Sequence, residues 1–375
     1  MLQTKARQLL TRLAGAALTA YAGGASAEYA LNLREGVTPI SREAYSLHTL
    51  ILWICVAIGI VVFGAMFISI VKHRKSRGVK PAQFHESTTV EIIWTVIPFL
   101  ILIGMAIPAT KALVAMEDTS NADLTVKVTG YQWKWGYDYI DDGVSFISSL
   151  STPKEQIYNE QDKDKHYLLE VDNPLVVPTN KKVRLLITSN DVIHAWWVPD
   201  LGMKKDAIPG FVNEMWFQID EEGTYRGQCA ELCGKDHAYM PIVVVAKNEA
   251  DYGEWLTAQK TSSDAVAAAG EREWSQDELM EQGEKVYGTS CAACHQANGA
   301  GIPGTFPGLK GSAVATGPVD AHLALVMNGK PGTAMAAFAN QLSDVDLAAV
   351  VTYERNAWGN NSGDLIQPSE VKAAR

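Results

Sequence analysis

Residues 227–240 read Gly227-Gln-Cys-Ala-Glu-Leu-Cys-Gly-Lys-Asp-His-Ala-Tyr-Met240. Cys229 and Cys233 are four residues apart, His237 follows after four more, and Met240 after three. One tight loop can therefore direct two thiolates, an imidazole and a thioether at a single point. Soft thiolate and thioether ligands together with imidazole select copper, whereas methionine is an unusual zinc ligand. This segment predicts a copper site.

Three other interpretations of the segment are open. A disulfide between Cys229 and Cys233 fits an exported chain, but it explains neither His237 nor Met240. A zinc knuckle uses only the cysteines and the histidine. A single-copper electron-transfer site takes one Cys, two His and a weak axial Met, so the second thiolate favours two copper ions that share both sulfurs.

Two copper ions require a second imidazole. His194 lies between apolar residues in Ser189-Asn-Asp-Val-Ile-His-Ala-Trp-Trp-Val-Pro199, at the end of a strand-like run. Taken alone, such a histidine is more often a core residue than a ligand. With the downstream loop present, we expect His194 to be the missing ligand.

Together these residues resemble subunit II of the haem-copper cytochrome oxidases, whose binuclear CuA centre uses a Cys-x-Glu-x-Cys-x-x-x-His-x-x-Met loop and an upstream histidine. The resemblance implies that the Glu231 backbone carbonyl is also a ligand and that its carboxylate faces a magnesium ion shared with subunit I. The implied side-chain ligands are His194, Cys229, Cys233, His237 and Met240.

Targeting and membrane segments come before this region. Residues 1–27 are typical of a secretory signal, with basic residues, a short Ala/Leu run and an Ala-Ser-Ala cleavage site. Leu50–Val71 carries no charge and Val90–Thr110 carries only Glu91, so each can cross a membrane. The intervening segment is rich in Lys and Arg, which places it in the cytoplasm. Both termini then lie outside a bacterial inner membrane.

Glu91 has two interpretations. An acidic residue at a helix N-terminus is stabilised by the helix dipole and can simply face lipid headgroups. The string Glu91-Ile-Ile-Trp-Thr-Val-Ile-Pro98 nevertheless resembles that of the oxidase family, in which the glutamate lies at the mouth of a proton channel into subunit I. The resemblance therefore implies a functional Glu91.

Beyond the membrane segments, short alternating runs parted by Gly, Pro, Asn and Asp predict β-strands. We expect an all-β Greek-key domain that resembles the cupredoxin fold. Within it, Tyr131-Gln-Trp-Lys-Trp-Gly-Tyr137 places four aromatic residues at alternating positions along a predicted strand. Such residues usually form core, but the resemblance implies that Trp133 is an exposed indole through which electrons enter the copper centre.

A second module follows a segment that is rich in Ala, Ser, Thr, Asp and Glu and that predicts a linker. Cys291-Ala-Ala-Cys-His295 is a c-type haem attachment motif, in which two thiols add to the haem and the histidine binds iron. A thiol redox pair is the rival interpretation, but it gives no reason for His295. The residues expected to bind the haem are Cys291, Cys294 and His295.

The residues around this motif resemble a class I cytochrome c. The resemblance implies that the Pro307 carbonyl accepts the His295 ring proton, which sets the tautomer. Met335 is the expected sixth ligand, although Ala336 replaces the proline common after this methionine. Met327 is the alternative. Gly283 is expected to allow close approach between the helix predicted for Gln276–Tyr287 and that for Ser343–Trp358.

The sequence therefore predicts a multidomain chain: a signal peptide (1–27), a transmembrane helical hairpin (28–115), a cupredoxin-like CuA domain (116–248), a linker (249–276), an all-α cytochrome c domain (277–362) and a tail (363–375). The net charge is −10, and we expect no nucleic-acid partner. The resemblance implies an electron-accepting, proton-translocating oxidase subunit with a soluble cytochrome c donor and subunits I and III as partners. The alternatives are a subunit of a CuA-containing nitric oxide reductase and a non-enzymatic copper-delivery or redox membrane protein.

Overall fold

In the computed structural model of the chain, residues 32–80, 83 and 85–375 are described, so the predicted signal peptide lies outside the described residues. Two long helices come first, α1 (Pro39–Lys72) and α2 (Thr88–Glu117). Both are long and apolar enough to cross a membrane. The 34 residues of α1 extend over about 50 Å, more than a hydrocarbon core of about 30 Å. The two predicted spans lie inside these helices, which confirms them.

Ten strands form a sandwich of two five-stranded sheets, with orders β3-β2-β1-β5-β8 and β4-β10-β9-β6-β7. Most neighbours are antiparallel, but β1 pairs with β5, and β4 with β10, in parallel. The all-β prediction is confirmed. Its elements are β1 (Leu124–Tyr131), β2 (Lys134–Tyr139), β3 (Val144–Ser148), the single-turn helix α3 (Lys154–Ile157), β4 (Leu175–Pro178), β5 (Val183–Ser189), β6 (His194–Val198), β7 (Met203–Ala207), β8 (Asn213–Phe217), β9 (Gly223–Cys229) and β10 (Pro241–Lys247).

Alternation of side chains explains why these segments form a sandwich. In β5, every second residue is buried, beginning with Val183, because successive side chains point to opposite faces of a sheet. The two sheets are joined through large aromatic residues. Trp196 of β6 stacks on Phe217 of β8 with ring centroids 6.2 Å apart, and its indole N–H donates to the Tyr137 hydroxyl at 3.3 Å. This core fixes the strand ends that carry the site.

The segment Tyr131–Tyr137 is not one strand, which corrects the prediction. β1 ends at Tyr131 and β2 begins at Lys134, and the two residues face each other in the antiparallel register. Gln132 and Trp133 form the turn between them. The alternation of aromatic residues did not reveal this turn, because the turn contains none of the Gly, Pro, Asn or Asp residues that usually mark one. Trp133 is consequently at the tip of a hairpin.

The predicted linker is helical over most of its length, α4 (Glu249–Glu271). Asn248 caps the helix by accepting from the Asp251 N–H at 3.0 Å, and the Ala- and Glu-rich composition favours a helix. Trp255 packs on the β-sandwich, with its ring centroid 5.3 Å from that of Tyr139. The composition indicated a linker, but a few aromatic residues are enough to dock this helix.

The C-terminal module is a bundle of short helices: α5 (Gln276–Ser290), α6 (Ala292–His295), α7 (Val319–Asn328), α8 (Asp344–Asn356) and α9 (Pro368–Ala374). α5 and α8 cross at Gly283, as predicted. A Cβ on Gly283 would lie 2.2 Å from the Ala349 carbonyl oxygen and 2.6 Å from Tyr353 Cβ. Only glycine allows the two helices to approach this closely, and their contact forms the centre of the bundle.

Residues 363–375, predicted as a tail, belong to the packed bundle. Ile366 and Val371 are almost fully buried in its apolar core, and Lys372 forms an ion pair with Glu271 at the end of α4. The polar composition of this segment concealed two apolar residues five positions apart. α9 therefore holds the end of α4 against the bundle.

Candidate metal centres

The ends of three neighbouring strands bring the predicted copper ligands together. His194 is the first residue of β6, Cys229 is the last residue of β9, and Met240 directly precedes β10. β6 and β9 pair with Trp196 opposite Cys229, which places His194 beside the ligand loop. β10 pairs with the other side of β9. The sheet thus fixes both ends of the loop 229–240.

The five predicted side chains converge on one another. Cys229 Sγ lies 3.9 Å from His194 Nδ1 and 3.9 Å from Cys233 Sγ. Cys233 Sγ lies 3.4 Å from His237 Nδ1 and 3.5 Å from Met240 Sδ. The two sulfurs are too far apart for a disulfide, whose S–S distance is about 2.05 Å, and both cysteines are free. Two thiols shared between two sets of donors suit a pair of soft metal ions better than one.

The backbone of the ligand loop adds an oxygen to this group. The Glu231 carbonyl oxygen lies 3.3 Å from Cys229 Sγ, so it faces the same point as the sulfurs. The Glu231 side chain is exposed. Leu232, at the tip of the loop, is 77% exposed, which is unusual for leucine beside two buried cysteines.

Asp191 orients His194. Asp191 Oδ1 lies 2.9 Å from His194 Nε2, so Nδ1 is the nitrogen available to the sulfurs. The second carboxylate oxygen accepts from the Gln132 N–H at 2.7 Å, which holds Asp191 in place. Gly130 provides the space, because a Cβ there would lie 2.8 Å from His194 Cδ2. Carboxylate–histidine pairs of this kind fix the ring orientation of metal-binding histidines.

Electrostatics favour a charged thiolate at the centre. The hydrogen bond from Cys233 lowers the pKa of the Cys229 thiol strongly, while the same contact and burial raise the pKa of Cys233. Burial lowers the pKa of His194, but the hydrogen bonds with Asp191 and Cys229 outweigh this and raise it overall. A metal cation replaces the remaining protons, because its ligands bind as thiolate and neutral imidazole. These residues therefore fit copper.

Two tryptophans line the centre on different sides. Trp135 is fully buried, donates to the Met240 carbonyl at 3.3 Å and lies edge-on to the His194 ring. Trp133 donates to the Cys233 carbonyl at 3.2 Å. Trp133 is half-buried, which corrects the expectation of an exposed indole, because Lys235 Nζ lies over its ring at 5.2 Å from the centroid.

The predicted haem attachment motif lies at the end of α5. Cys291 is the C-cap of α5, and Cys294 and His295 belong to the single turn α6. His295 Nδ1 lies 2.8 Å from the Pro307 carbonyl oxygen, as predicted. The carbonyl can only accept, so Nδ1 carries the proton and Nε2 is free to bind iron. Two free thiols beside an imidazole in this tautomer fit a c-type haem.

The two candidate sixth ligands differ in environment. Met327 is buried on α7, whereas Met335 is half-buried in the loop between α7 and α8. This loop folds back on α7, where Phe338 N donates to the Val326 carbonyl at 3.1 Å. The choice of Met335 over Met327 stays a prediction.

Comparison with known proteins follows the three parts of the chain. Residues 26–112 match the family model of the cytochrome c oxidase subunit II transmembrane domain, and residues 124–247 match that of its periplasmic domain. Residues 262–353 match the model of subunit III of the cbb3-type oxidase. A probable cytochrome c oxidase subunit 2 of Rickettsia bellii is 41% identical over 234 residues, which are 62% of this chain and 84% of the relative.

The chain belongs to the cytochrome c oxidase subunit II family. Subunit 2 of Cereibacter sphaeroides is 38% identical over 58% of this chain and 77% of that protein. A crystal structure of the periplasmic domain of subunit II of cytochrome oxidase from Bradyrhizobium japonicum has 43% identity, with a TM-score of 0.35, over 38% of this chain and 98% of that one.

As a subunit II, the chain is part of a cytochrome c oxidase with subunit I as a partner. Its helices lie in a bacterial membrane and its C-terminal domains are periplasmic. The copper-type and cytochrome-type domains imply copper and haem as cofactors and electron transfer as their role. This family favours the oxidase over the nitric oxide reductase and copper-delivery alternatives.

Glu91 of this subunit II lies in the first turn of α2. Its carbonyl accepts from the Thr95 hydroxyl at 2.8 Å, and its side chain is exposed within the chain. Both features agree with a helix-terminal acid and with a residue that faces a partner. Its role in proton uptake stays a prediction.

Sequence reasoning did not find Asp191, Gln132 or Gly130 as parts of the copper site. The only sequence signal for Asp191 was its position three residues before His194. The buried pair of His322 and Glu354, joined at 3.0 Å in the helical domain, was missed as well. The contact of Gln132 with Asp191 and that of His322 with Glu354 connect residues that are far apart in the chain.

Proposed function

We propose that this subunit II receives electrons from a soluble donor, such as a cytochrome c, at its helical domain and delivers them to subunit I through its copper-type loop. The observation that supports the proposal most strongly is the convergence of five donor side chains around the two cysteines, in which Cys229 contacts His194 and Cys233, and Cys233 contacts His237 and Met240, all at 3.4–3.9 Å. When bound, copper and haem supply one-electron redox chemistry without proton transfer.

We assign the copper ligands by residue. The thiolates of Cys229 and Cys233, the side chains of His194, His237 and Met240, and the Glu231 carbonyl oxygen would hold the two copper ions. Asp191 holds the proton on His194 Nε2 and keeps Nδ1 directed at the sulfurs. Trp135 excludes water from the buried side, and a dry surrounding limits reorganisation during electron transfer.

We assign the helical domain to covalent haem c. Cys291 and Cys294 would attach the haem covalently through their thiols, and His295 would bind its iron through Nε2. The Pro307 carbonyl holds the proton on Nδ1, which fixes the ring. Met335 would be the second iron ligand, with Met327 as the alternative. Histidine and methionine together raise the haem potential, as an electron relay requires.

Three further parts of the proposal concern the partner subunits. The exposed Glu231 carboxylate binds a magnesium ion at the surface shared with subunit I. Glu91 lies at the entry of protons into subunit I, which couples oxygen reduction to proton translocation. Subunit III belongs to the same complex. Trp133, hydrogen-bonded to Cys233, is the indole nearest the entry of electrons to the copper-type loop.

Purification of the complete complex from membranes tests the cofactor assignment. We expect two copper ions and one covalently bound haem for each subunit II, a mixed-valence two-copper signal in electron paramagnetic resonance, and a low-spin haem. Retention of haem after acid–acetone extraction tests the thioether bonds. Zinc in place of copper, or one copper per chain, would contradict the assignment.

The substitution Glu91→Gln tests the proton entry. It removes the charge but keeps the size of the side chain, so we expect slower oxygen consumption and unchanged reduction of the copper centre by the donor. Stopped-flow reduction and oxygen uptake measure the two steps separately. Wild-type turnover would make Glu91 a helix-terminal acid without a role in proton uptake.

A further inference from the structure

In the hairpin formed by β1 and β2, the second strand provides a lysine that contacts the helical domain. Lys134 is the first residue of β2, next to Trp133, and its Nζ lies 5.5 Å from the centroid of the Phe338 ring. Phe338 packs against the apolar core of the haem-type bundle. Lys134 therefore connects the copper-type hairpin to the cytochrome-type domain.

The environment of Lys134 is unusual for a lysine. The side chain is half-buried, and among the described residues no carboxylate lies within ion-pair distance of its Nζ. Burial lowers the pKa of Lys134 to about 8. A cation held against an aromatic face is worth more when it is desolvated than when it is exposed. The contact with Phe338 thus compensates part of the cost of burying this charge.

A second lysine of the same region comes from the copper-ligand loop. Lys235 Nζ lies over the Trp133 ring, 5.2 Å from its centroid. The Trp133 end of the copper-type domain therefore carries two lysines, and one of them, Lys134, contacts the helical domain.

Helix α4 fixes the distance between the two domains but not this contact. Its first turns are held to the sandwich by Trp255 and by an ion pair of Lys260 with Asp142 at 3.0 Å. Its last turn is held to the bundle by the ion pair of Glu271 with Lys372. Neither attachment involves a proposed redox residue, which leaves the contact of Lys134 with Phe338 to set how the helical domain meets the hairpin that carries Trp133.

We propose that Lys134 is a positioning residue that holds the cytochrome-type domain against the surface around Trp133, the Trp133 face. This face is then an interface within the chain, and the soluble donor binds the helical domain instead. The inference rests on the proposed function, since it concerns electron transfer between the two centres. The transfer oxidises one centre and reduces the other by one electron each, with no bond made or broken. Lys134 changes its rate through geometry alone.

The test uses the complete complex with Lys134→Met, which keeps the length of the side chain and removes the charge. One electron is injected photochemically into the haem, and its transfer to the copper centre is timed. We expect this transfer to be about tenfold slower, because the variant loses one desolvated cation–aromatic contact. Hydrogen exchange should become faster in residues 330–340 and in the 131–135 hairpin. The spectra and potentials of both centres should not change.

Three variants control for charge and folding. Lys127→Met removes a lysine from the neighbouring strand β1, where it is exposed and paired with Asp138 at 3.5 Å, and we expect wild-type transfer. Lys134→Arg keeps the cation and should restore most of the rate. Phe338→Leu removes the aromatic partner from the other side and should slow transfer as Lys134→Met does, which keeps the test informative if one variant folds poorly.

The steady-state kinetics separate this inference from a donor-docking role. We expect Lys134→Met to lower kcat and to leave the KM for the soluble donor unchanged, because the donor contacts the helical domain. A raised KM with normal internal transfer would mean that the donor binds the Trp133 face. Wild-type transfer and exchange in Lys134→Met, or an equal loss in Lys127→Met, would overturn the inference. Missing copper or haem in the wild-type complex would instead overturn the proposed function.

Discussion

The copper-type and haem-type sites of this chain are assembled in opposite ways. At the copper-type site, His194 lies 35 residues before Cys229 in the chain, and only the pairing of β6 with β9 brings them together. At the haem-type site, the two cysteines and the histidine occupy five successive positions at one helix end. The first site therefore depends on the tertiary fold before any metal binds. The second is local, and in the proposed function a covalent bond to haem would complete it.

The way each histidine is oriented differs too. His194 is oriented by the side chain of Asp191, and His295 by the backbone carbonyl of Pro307. A side chain can be replaced, whereas a carbonyl is always present. Single substitutions can therefore disrupt the copper-type site more easily, whereas the haem-type site is sensitive mainly to changes in the packing of its bundle.

The largest expected effect separates the two sites completely. Cys233→Ser removes the sulfur that contacts Cys229, His237 and Met240, so we expect complete loss of the two-copper signal with haem fully attached. Electron paramagnetic resonance and the optical spectrum of the haem measure the two sites in one sample. Cys55→Ser, in α1 and outside both sites, is the matched control. An intact copper spectrum in Cys233→Ser would refute the ligand assignment.

Gly283→Ala should destabilise the helical bundle of the haem-type site and leave the copper-type site unchanged. Its Cβ would lie 2.2 Å from the Ala349 carbonyl oxygen, so α5 and α8 must separate, and we expect the bundle to lose about 1–3 kcal/mol of its free energy of unfolding. Denaturant titration followed at the haem measures this.

The control for that substitution lies on the same helix. At Gly288 no atom lies within 4 Å of an added Cβ, so Gly288→Ala should be neutral or slightly stabilising. Equal stability of the two variants would mean that the close contact of α5 and α8 is not needed. Copper content should be unchanged in both.

Asp191→Asn has the smallest expected effect and tests how His194 is oriented. The amide keeps the shape but loses the charge that orients His194, and we expect copper affinity to fall about 10- to 100-fold. Copper retention against a competing chelator measures the change. Asp138→Asn, which changes a half-buried acid of β2 that pairs with Lys127, should retain copper as the wild type does. Unchanged retention in Asp191→Asn would mean that β6 alone positions the histidine.

Parts of both sites could be predicted from the sequence because their residues are close together in the chain. The spacing of Cys229, Cys233, His237 and Met240 indicated the copper loop, and Cys291-Ala-Ala-Cys-His295 indicated the haem site. The contacts of Asp191 could not be predicted, because its hydrogen bond to Gln132 joins residues 59 positions apart. The environment of Lys134 depends on how one domain meets another, and no local pattern encodes that.

The fold was predictable to the same extent. Long uncharged runs indicated α1 and α2, and alternation indicated the sandwich. The turn at Trp133 and the helix α4 were not found, because aromatic alternation continues through the turn and polar composition hides the docking of Trp255. In both places, a few aromatic contacts decide the local structure.

Helix α4 has a kinetic consequence. Its 23 residues make a spacer about 35 Å long, stiffer than a Gly/Ser-rich linker. The donor domain is thereby held at a constant effective concentration beside its acceptor. Under the proposed function, delivery of electrons between them would be first order and would not depend on dilution or on the diffusion of a mobile carrier. Only the step that loads the helical domain would depend on the concentration of the soluble donor.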